Sequence, residues 1–171
     1  HQFLYLFYLF CFTMEKELRG KIMKYQSLDT EIFLKSREYI DTVIIPLNPI
    51  AFDDTFSLTV SSYEFMTLLT YELEKELKGR VFLAQPLPYI KNSPIEEKSQ
   101  LLSTWLNFYQ SVGFKTIRFF TTDSKWTSIE GGHVLWIPVV PVDKMPPETI
   151  KSVISEQTKQ LTTVLEETWS Q

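Results

Sequence analysis

An α/β three-layer sandwich is the fold class this chain predicts: a mainly parallel sheet of about four strands with helices on both faces. Three observations lead to it. Helical and β-branched apolar runs alternate in the order αβ, αβ, αβ, β, α, and helix-separated strands favour parallel pairing with right-handed crossovers. The strand runs are short and apolar throughout, as strands covered on both faces are. The 171 residues are 44% apolar and 22% charged, enough core for one domain and too apolar for disorder.

The elements follow in order. Residues 27–40 place Leu28, Ile32, Phe33, Tyr39 and Ile40 at roughly helical spacing. Residues 41–47, DTVIIPL, form a β-branched run that reads as a buried strand, stopped by Pro46 and Pro49. Residues 55–60, TFSLTV, alternate polar and apolar and read as a small extended edge piece. Ser61 and Glu64 then have capping-box spacing, and Phe65, Met66, Leu69, Leu73 and Leu77 carry a helix that Lys78 and Gly79 end. The second strand is 80–85, RVFLAQ, closed by Pro86 and Pro88.

Ser93 as cap and Pro94 at the first position open the next helix, with a stripe of Leu102, Trp105, Leu106, Tyr109 and Val112 and a stop at Gly113. Residues 115–121 and 133–140 are the third and fourth strands. Pro138 cannot donate to a ladder, so the fourth is an edge strand or ends early. Two directions stay open for it: parallel after a near-minimal crossover through 122–132, or antiparallel through a Gly131-Gly132 hairpin. From about Pro147, Ile150, Val153, Ile154, Leu161, Val164, Leu165 and Trp169 give the cleanest amphipathic stripe in the chain.

Residues 1–22 stand apart. The run HQFLYLFYLFCFT holds the chain's one cysteine, Cys11, and is too short for a membrane span, which needs about 20 apolar residues. It has neither the basic start nor the small-residue cleavage site of a signal peptide. Its AT-rich codons, and a possible purine run behind Leu18-Arg19-Gly20, make it read as translated upstream sequence with Met23 as the start. The domain expected is therefore 23–171, a cysteine-free chain suited to the reducing cytoplasm.

Several activities are excluded. The glycines of the body, Gly79, Gly113, Gly131 and Gly132, each punctuate an element, and none clusters after the first strand where a dinucleotide fold needs them. The sequence has no GxxxxGK[ST] and no G-x-S-x-G, and the body offers no cysteine nucleophile. A lone His133 cannot build a multi-histidine zinc site. The net charge of −4 provides no basic footprint, so nucleic acid is not an expected partner, nor is membrane insertion expected. No cofactor and no metal are expected.

In an open α/β sheet a ligand binds beyond the carboxyl ends of the strands. The residues there are Asn48, Asp53 and Asp54 after strand one, Gln85 after strand two, and Thr121, Thr122 and Asp123 after strand three. Three converging carboxylates would suit Mg²⁺. The favoured reading is plainer: Asp53 and Asp54 cap or solvate a loop, and Asp123 starts a turn. Trp126 lies in a polar loop with no stripe to join, either presenting a contact surface or, as favoured, folding back over the sheet edge. Trp169 extends the last stripe to the terminus and docks on the core or on a second subunit. His133 approaches a site only if the fourth strand is antiparallel.

The segments MKYQSLDTEIFLKSREYIDTVIIPL (23–47) and YELEKELKGRVFLAQPLPYI (71–90) resemble a family of short bacterial proteins of unknown function, known mainly from spore-forming Firmicutes. The resemblance implies a small cytosolic α/β protein and supplies no catalytic residue. The residues themselves favour a non-enzymatic interaction or regulatory domain, acting on a protein partner or as a homo-oligomer. The alternative is a small-molecule binder or Mg²⁺-assisted enzyme at the carboxyl edge of the sheet.

Overall fold

The computed structural model describes residues 24–129 and 131–170. The expectations for residues 1–22, and for Met23 as a start, lie outside the described residues. The elements are α1 (Thr30–Ser36), β1 (Thr42–Ile50), α2 (Phe56–Glu76), β2 (Val81–Leu83), β3 (Leu87–Ile90), α3 (Ile95–Ser111), β4 (Thr116–Thr121), β5 (Val134–Trp136) and α4 (Pro147–Trp169). Short 3₁₀ turns cover Ser27–Asp29, Ser124–Ser128 and Val142–Lys144.

The strand order is β2-β1-β4-β5, with β3 paired to β1 beyond β2, and every pairing is parallel. The fourth predicted strand is thus parallel, with Phe119 opposite Val134, and the crossover through 122–132 is filled by the 3₁₀ turn at Ser124–Ser128. β1 is the centre of the sheet, and all its residues before Ile50 are buried. Its odd-numbered side chains Val43, Ile45 and Leu47 join Leu102, Phe119 and Trp126 in the layer beneath α3. Ile44 faces the other way, into the layer that Phe65, Leu69 and Leu73 of α2 share with Leu161 and Leu165 of α4. The three-layer sandwich expected from the alternation of helix and strand is therefore the fold observed.

β2 ends at Leu83 ahead of Pro86, and the edge strand β5 ends at Trp136 ahead of Pro138, but Pro46 and Pro49 did not stop β1 as expected, and peptide orientation explains why. Thr42 N–H donates to Arg80 and the Ile44 carbonyl accepts from Ala84, so even-numbered residues of β1 turn their peptide groups toward β2 and β3. Pro46 lacks an N–H on that side, opposite residues 84–86. There the neighbouring strand breaks, and three residues (84–86) span what two (45–46) span in β1. This is a bulge placed where the ladder has no donor. Pro49 turns toward β4, past its last pair at Leu47–Thr121, so no bond is lost. The one-residue shift also reverses parity, and the Lys91 N–H reaches Ile50. Pro86 and Pro88 consequently face the open edge, where a missing N–H costs nothing. The result is a fifth strand, β3, that the sequence reading ended at Pro86.

Three further expectations fail. Residues 55–60 are not an extended piece, because α2 starts at Phe56. Asp53 accepts hydrogen bonds from the backbone and hydroxyl of Thr55 (2.8 and 2.6 Å) and its carbonyl accepts from Phe56, which turns the chain into the helix. Ser61 is accordingly not a cap but lies inside the helix, donating to Asp143 Oδ1 at 2.8 Å. α3 also opens one residue late, at Ile95, with no cap bond from a side chain.

At the amino edge of the sheet a closed ring of contacts ties the last helix to the first strand. Trp169 Nε1 donates to the Thr42 hydroxyl (2.9 Å), which donates to Asp41 Oδ1 (2.8 Å). Arg80 grips both Asp41 oxygens at 3.1 Å and lays its guanidinium over the Trp169 ring at 4.0 Å. Trp169 therefore docks on its own chain's core. Burial alone would raise the Asp41 pKa, but the bonds from Arg80 and Thr42 and the nearby positive charge outweigh it and lower the value. A depressed carboxyl stabilises the fold above its unfolded value of 3.8, and that contribution disappears as pH falls through the lower folded value. Asp41→Asn should thus lower stability by about 1 kcal/mol at neutral pH. Its melting temperature should then converge on that of the parent chain as pH falls below about 4 in a calorimetric series.

Candidate functional site

The carboxyl edge divides into two halves, one on each face of the sheet. On the α3 face the loop after β4 is closed upon itself. Asp123 Oδ1 accepts from Lys125 N–H (3.0 Å), capping the 3₁₀ turn, and Oδ2 accepts from the Tyr89 hydroxyl (3.0 Å). Thr121 is buried and its hydroxyl accepts from the Asp123 N–H, while the Thr122 carbonyl accepts from Trp136 Nε1. Trp126 is completely buried, with Tyr89 edge-on at 5.0 Å, so it is a core residue rather than a contact surface. Burial and the neighbouring Asp123 charge push the Tyr89 phenol far above its ordinary value, which keeps it a hydrogen-bond donor.

Nor do the three carboxylates converge. The Thr55 hydroxyl and backbone bonds hold Asp53 below its usual pKa, and Asn92 donates to its second oxygen. Asp54 is exposed, and Asp123 is committed to Tyr89 and Lys125. Among the described residues no three His, Cys, Asp or Glu side chains group as metal ligands. His133 contacts the Ile117 carbonyl at the far end of the parallel strands, away from this edge.

On the α2 face the edge is open. The bulge at 84–86 and the middle of α2 enclose a polar cleft of about 230 Å³, walled by Asn48, Gln85 and residues 24–26. Residues 24 and 25 are held there by pairing of Tyr25 N–H with the Leu83 carbonyl. Beside it lies an apolar cleft of about 450 Å³ lined by Pro49, Ile50, Phe52, Phe56, Val60 and Pro88. Asn48, Tyr63 and Pro86 belong to both walls. Asn48 is the most informative of them: it is 8% exposed, and its Oδ1 has no hydrogen-bond partner. Buried polar atoms are almost always paired, so each exception calls for a cause.

The structure thus brings Asn48 and Gln85 together and separates them from Asp123 and Trp126. The sequence reading missed Phe52, Phe56 and Tyr63. A signal was present in the alternation at 55–60: in the helix it buries Thr59, Ser61 and Ser62 and exposes Phe56, Leu58 and Val60. Phe52 is 87% exposed and stacks on Phe56 at 5.2 Å. The helix thus turns its apolar residues outward at the carboxyl edge, where the carboxylates do not gather.

Over residues 31–169 the chain matches a family described as protein of unknown function (DUF2487). The chain belongs to this family. It is 27% identical over 155 residues to the uncharacterized protein YpiF of Bacillus subtilis (strain 168), an alignment covering 86% of this chain and 99% of that protein. No solved structure matches it. The DUF2487 match takes in every lining residue of the apolar cleft, whereas Lys24, Tyr25 and Gln26 of the polar cleft precede it.

Two outcomes follow for this edge. Millimolar Mg²⁺ should leave the melting temperature unchanged, because Asp53 and Asp123 are held by separate partners and the three aspartates do not group as ligands. Trp126→Ala should cost about 3–5 kcal/mol in urea denaturation, as emptying a fully enclosed aromatic site does.

Proposed function

We propose that this domain binds a small molecule, without transforming it, in the paired clefts at the carboxyl edge on the α2 face. The observation that carries the reading is the apolar cleft of about 450 Å³ under an inverted helix face. That size is ordinary for a small-molecule site, and the carboxyl edge is where open α/β sheets hold ligands. The absence of catalysis is supported by the state of the acids nearby: Asp53 and Asp123 are both engaged in structural hydrogen bonds. The described residues carry no cysteine, which supports a cytoplasmic location. Among them no helix is long and apolar enough to cross a membrane.

A second reading, a protein partner or second copy at the same edge, is favoured by the exposed ring of Phe52 with Ile50 and Ile90 beside it. Such a partner would dock by side chains. Pro86 and Pro88 deny it the N–H groups that strand addition at this edge requires.

Native mass spectrometry of the full chain, isolated from its cell without a denaturing step, separates the two. A small-molecule adduct is expected, weakened at least about tenfold by Phe52→Glu. A clean monomer mass overturns the small-molecule reading. A dimer or heteromer that Phe52→Glu dissociates establishes the second reading in its place.

A further inference from the structure

The polar cleft says what kind of ligand the site takes, given the small-molecule reading on which this inference rests. The threonine protons on its inner wall are already committed. Thr67 donates its hydroxyl to the Tyr63 carbonyl and Thr70 to the Met66 carbonyl, both at 2.8 Å, leaving oxygen lone pairs as their remaining capacity. Gln26 donates its amide to Asp29 at 2.6 Å. Asn48 adds a buried acceptor with nothing to accept from. The two threonine hydroxyls are therefore left as acceptors, and the buried acceptor of the wall that no donor meets is Asn48 Oδ1. Its charged side chain, Lys24, is engaged as well, with Nζ 4.2 Å over the Tyr71 ring and 3.9 Å from a Glu74 oxygen. A charged group entering here would disturb that pair or stay uncompensated in a shielded place.

We infer that the ligand is a neutral molecule that places an N–H or O–H donor on Asn48 Oδ1 and lays a flat apolar body in the neighbouring cleft against Pro49, Phe56 and Val60. Asn48 stands on the wall common to the two clefts, so a donor attached directly to an apolar ring reaches it without a spacer. Supplying the missing donor removes the penalty of an unmade buried hydrogen bond, which makes Asn48 the specificity-determining residue. The apolar body supplies most of the affinity.

The test uses N-phenylnaphthylamine, a neutral aromatic with one N–H donor, followed by its fluorescence on the full chain. Two comparison probes bracket it: naphthyl phenyl ether, which lacks the donor and competes for the same cleft, and the anionic anilinonaphthalene sulfonate. The amine is expected to bind about fivefold to tenfold more tightly than the ether. The sulfonate is expected to bind more weakly than the amine. Asn48→Leu, checked for folding by circular dichroism, should keep both neutral probes and erase the difference between them. Equal affinity of amine and ether for the parent chain overturns the inference alone, and means that water satisfies Asn48. So does a sulfonate that binds as tightly as the amine. If no probe binds the parent chain, the proposed function falls along with it. The comparison on the parent chain decides the matter even if Asn48→Leu fails to fold.

Discussion

A proline without an N–H in the most buried strand of the sheet shapes everything at the carboxyl edge. Pro46 sits in β1 with neighbours on both sides, a position from which proline is normally excluded. The strand beside it cannot form a continuous ladder there, and it accommodates the defect with one extra residue at 84–86. That single insertion changes which peptide groups face outward, so Pro86 and Pro88 fall on the open edge. The polar cleft lies at the same break, with Pro46, Ala84 and Pro86 on its walls. One missing donor thus accounts for the bulge and the blunted edge together.

The two faces of the edge then diverge. Beneath α3 the space is filled by Trp126, and the polar groups around it are paired through Tyr89, Asp123 and Thr121. Lys98, itself buried, donates to the carbonyls of Lys91 and Ser93 and fixes the turn after β3. Above the sheet, α2 starts with hydroxyl side chains inward and aromatic ones outward, and the space beneath its first turns stays unfilled. The amino edge is closed as firmly as the α3 face, by the ring of Trp169, Thr42, Asp41 and Arg80. At the carboxyl edge the open space therefore lies on the α2 face.

The fold was legible in the sequence where burial is two-sided. The β-branched run of β1, the strand β4 and the stripe of α4 were read close to their observed positions, because apolar periodicity and core packing agree there. The reading failed where hydrogen-bond direction decides the outcome. Whether Pro86 ends a strand depends on which way its peptide group points, and that depends on a register set by residues 40 positions away. The start of α2 was misread because strand-like alternation at 55–60 coincides with a helix whose polarity is inverted. Of the candidate site, Asn48 and Gln85 were found by topology alone, since strand ends are fixed by strand order. Asp53 and Asp123 are at the same edge, but their hydrogen bonds make them parts of turns, as the plainer reading of aspartate held.

Local rules of folding are broken at four places: a proline inside a central strand, an inverted helix face, a nearly fully exposed phenylalanine and a buried amide without a partner. Each is unfavourable by itself, and sequences that fold well keep such conflicts few. All four surround the same pair of clefts. Trp126 Nε1 beneath α3 and the Thr162 hydroxyl of α4 are also buried without a partner, but the proline, the inverted helix face, the exposed ring and the Asn48 amide are the conflicts that lie side by side. Conflicts that gather at one place are the usual mark of a site whose shape is held for binding rather than for stability. On the proposed reading a ligand would complete what the fold leaves open, its apolar body covering the outward face of α2 and its donor meeting Asn48.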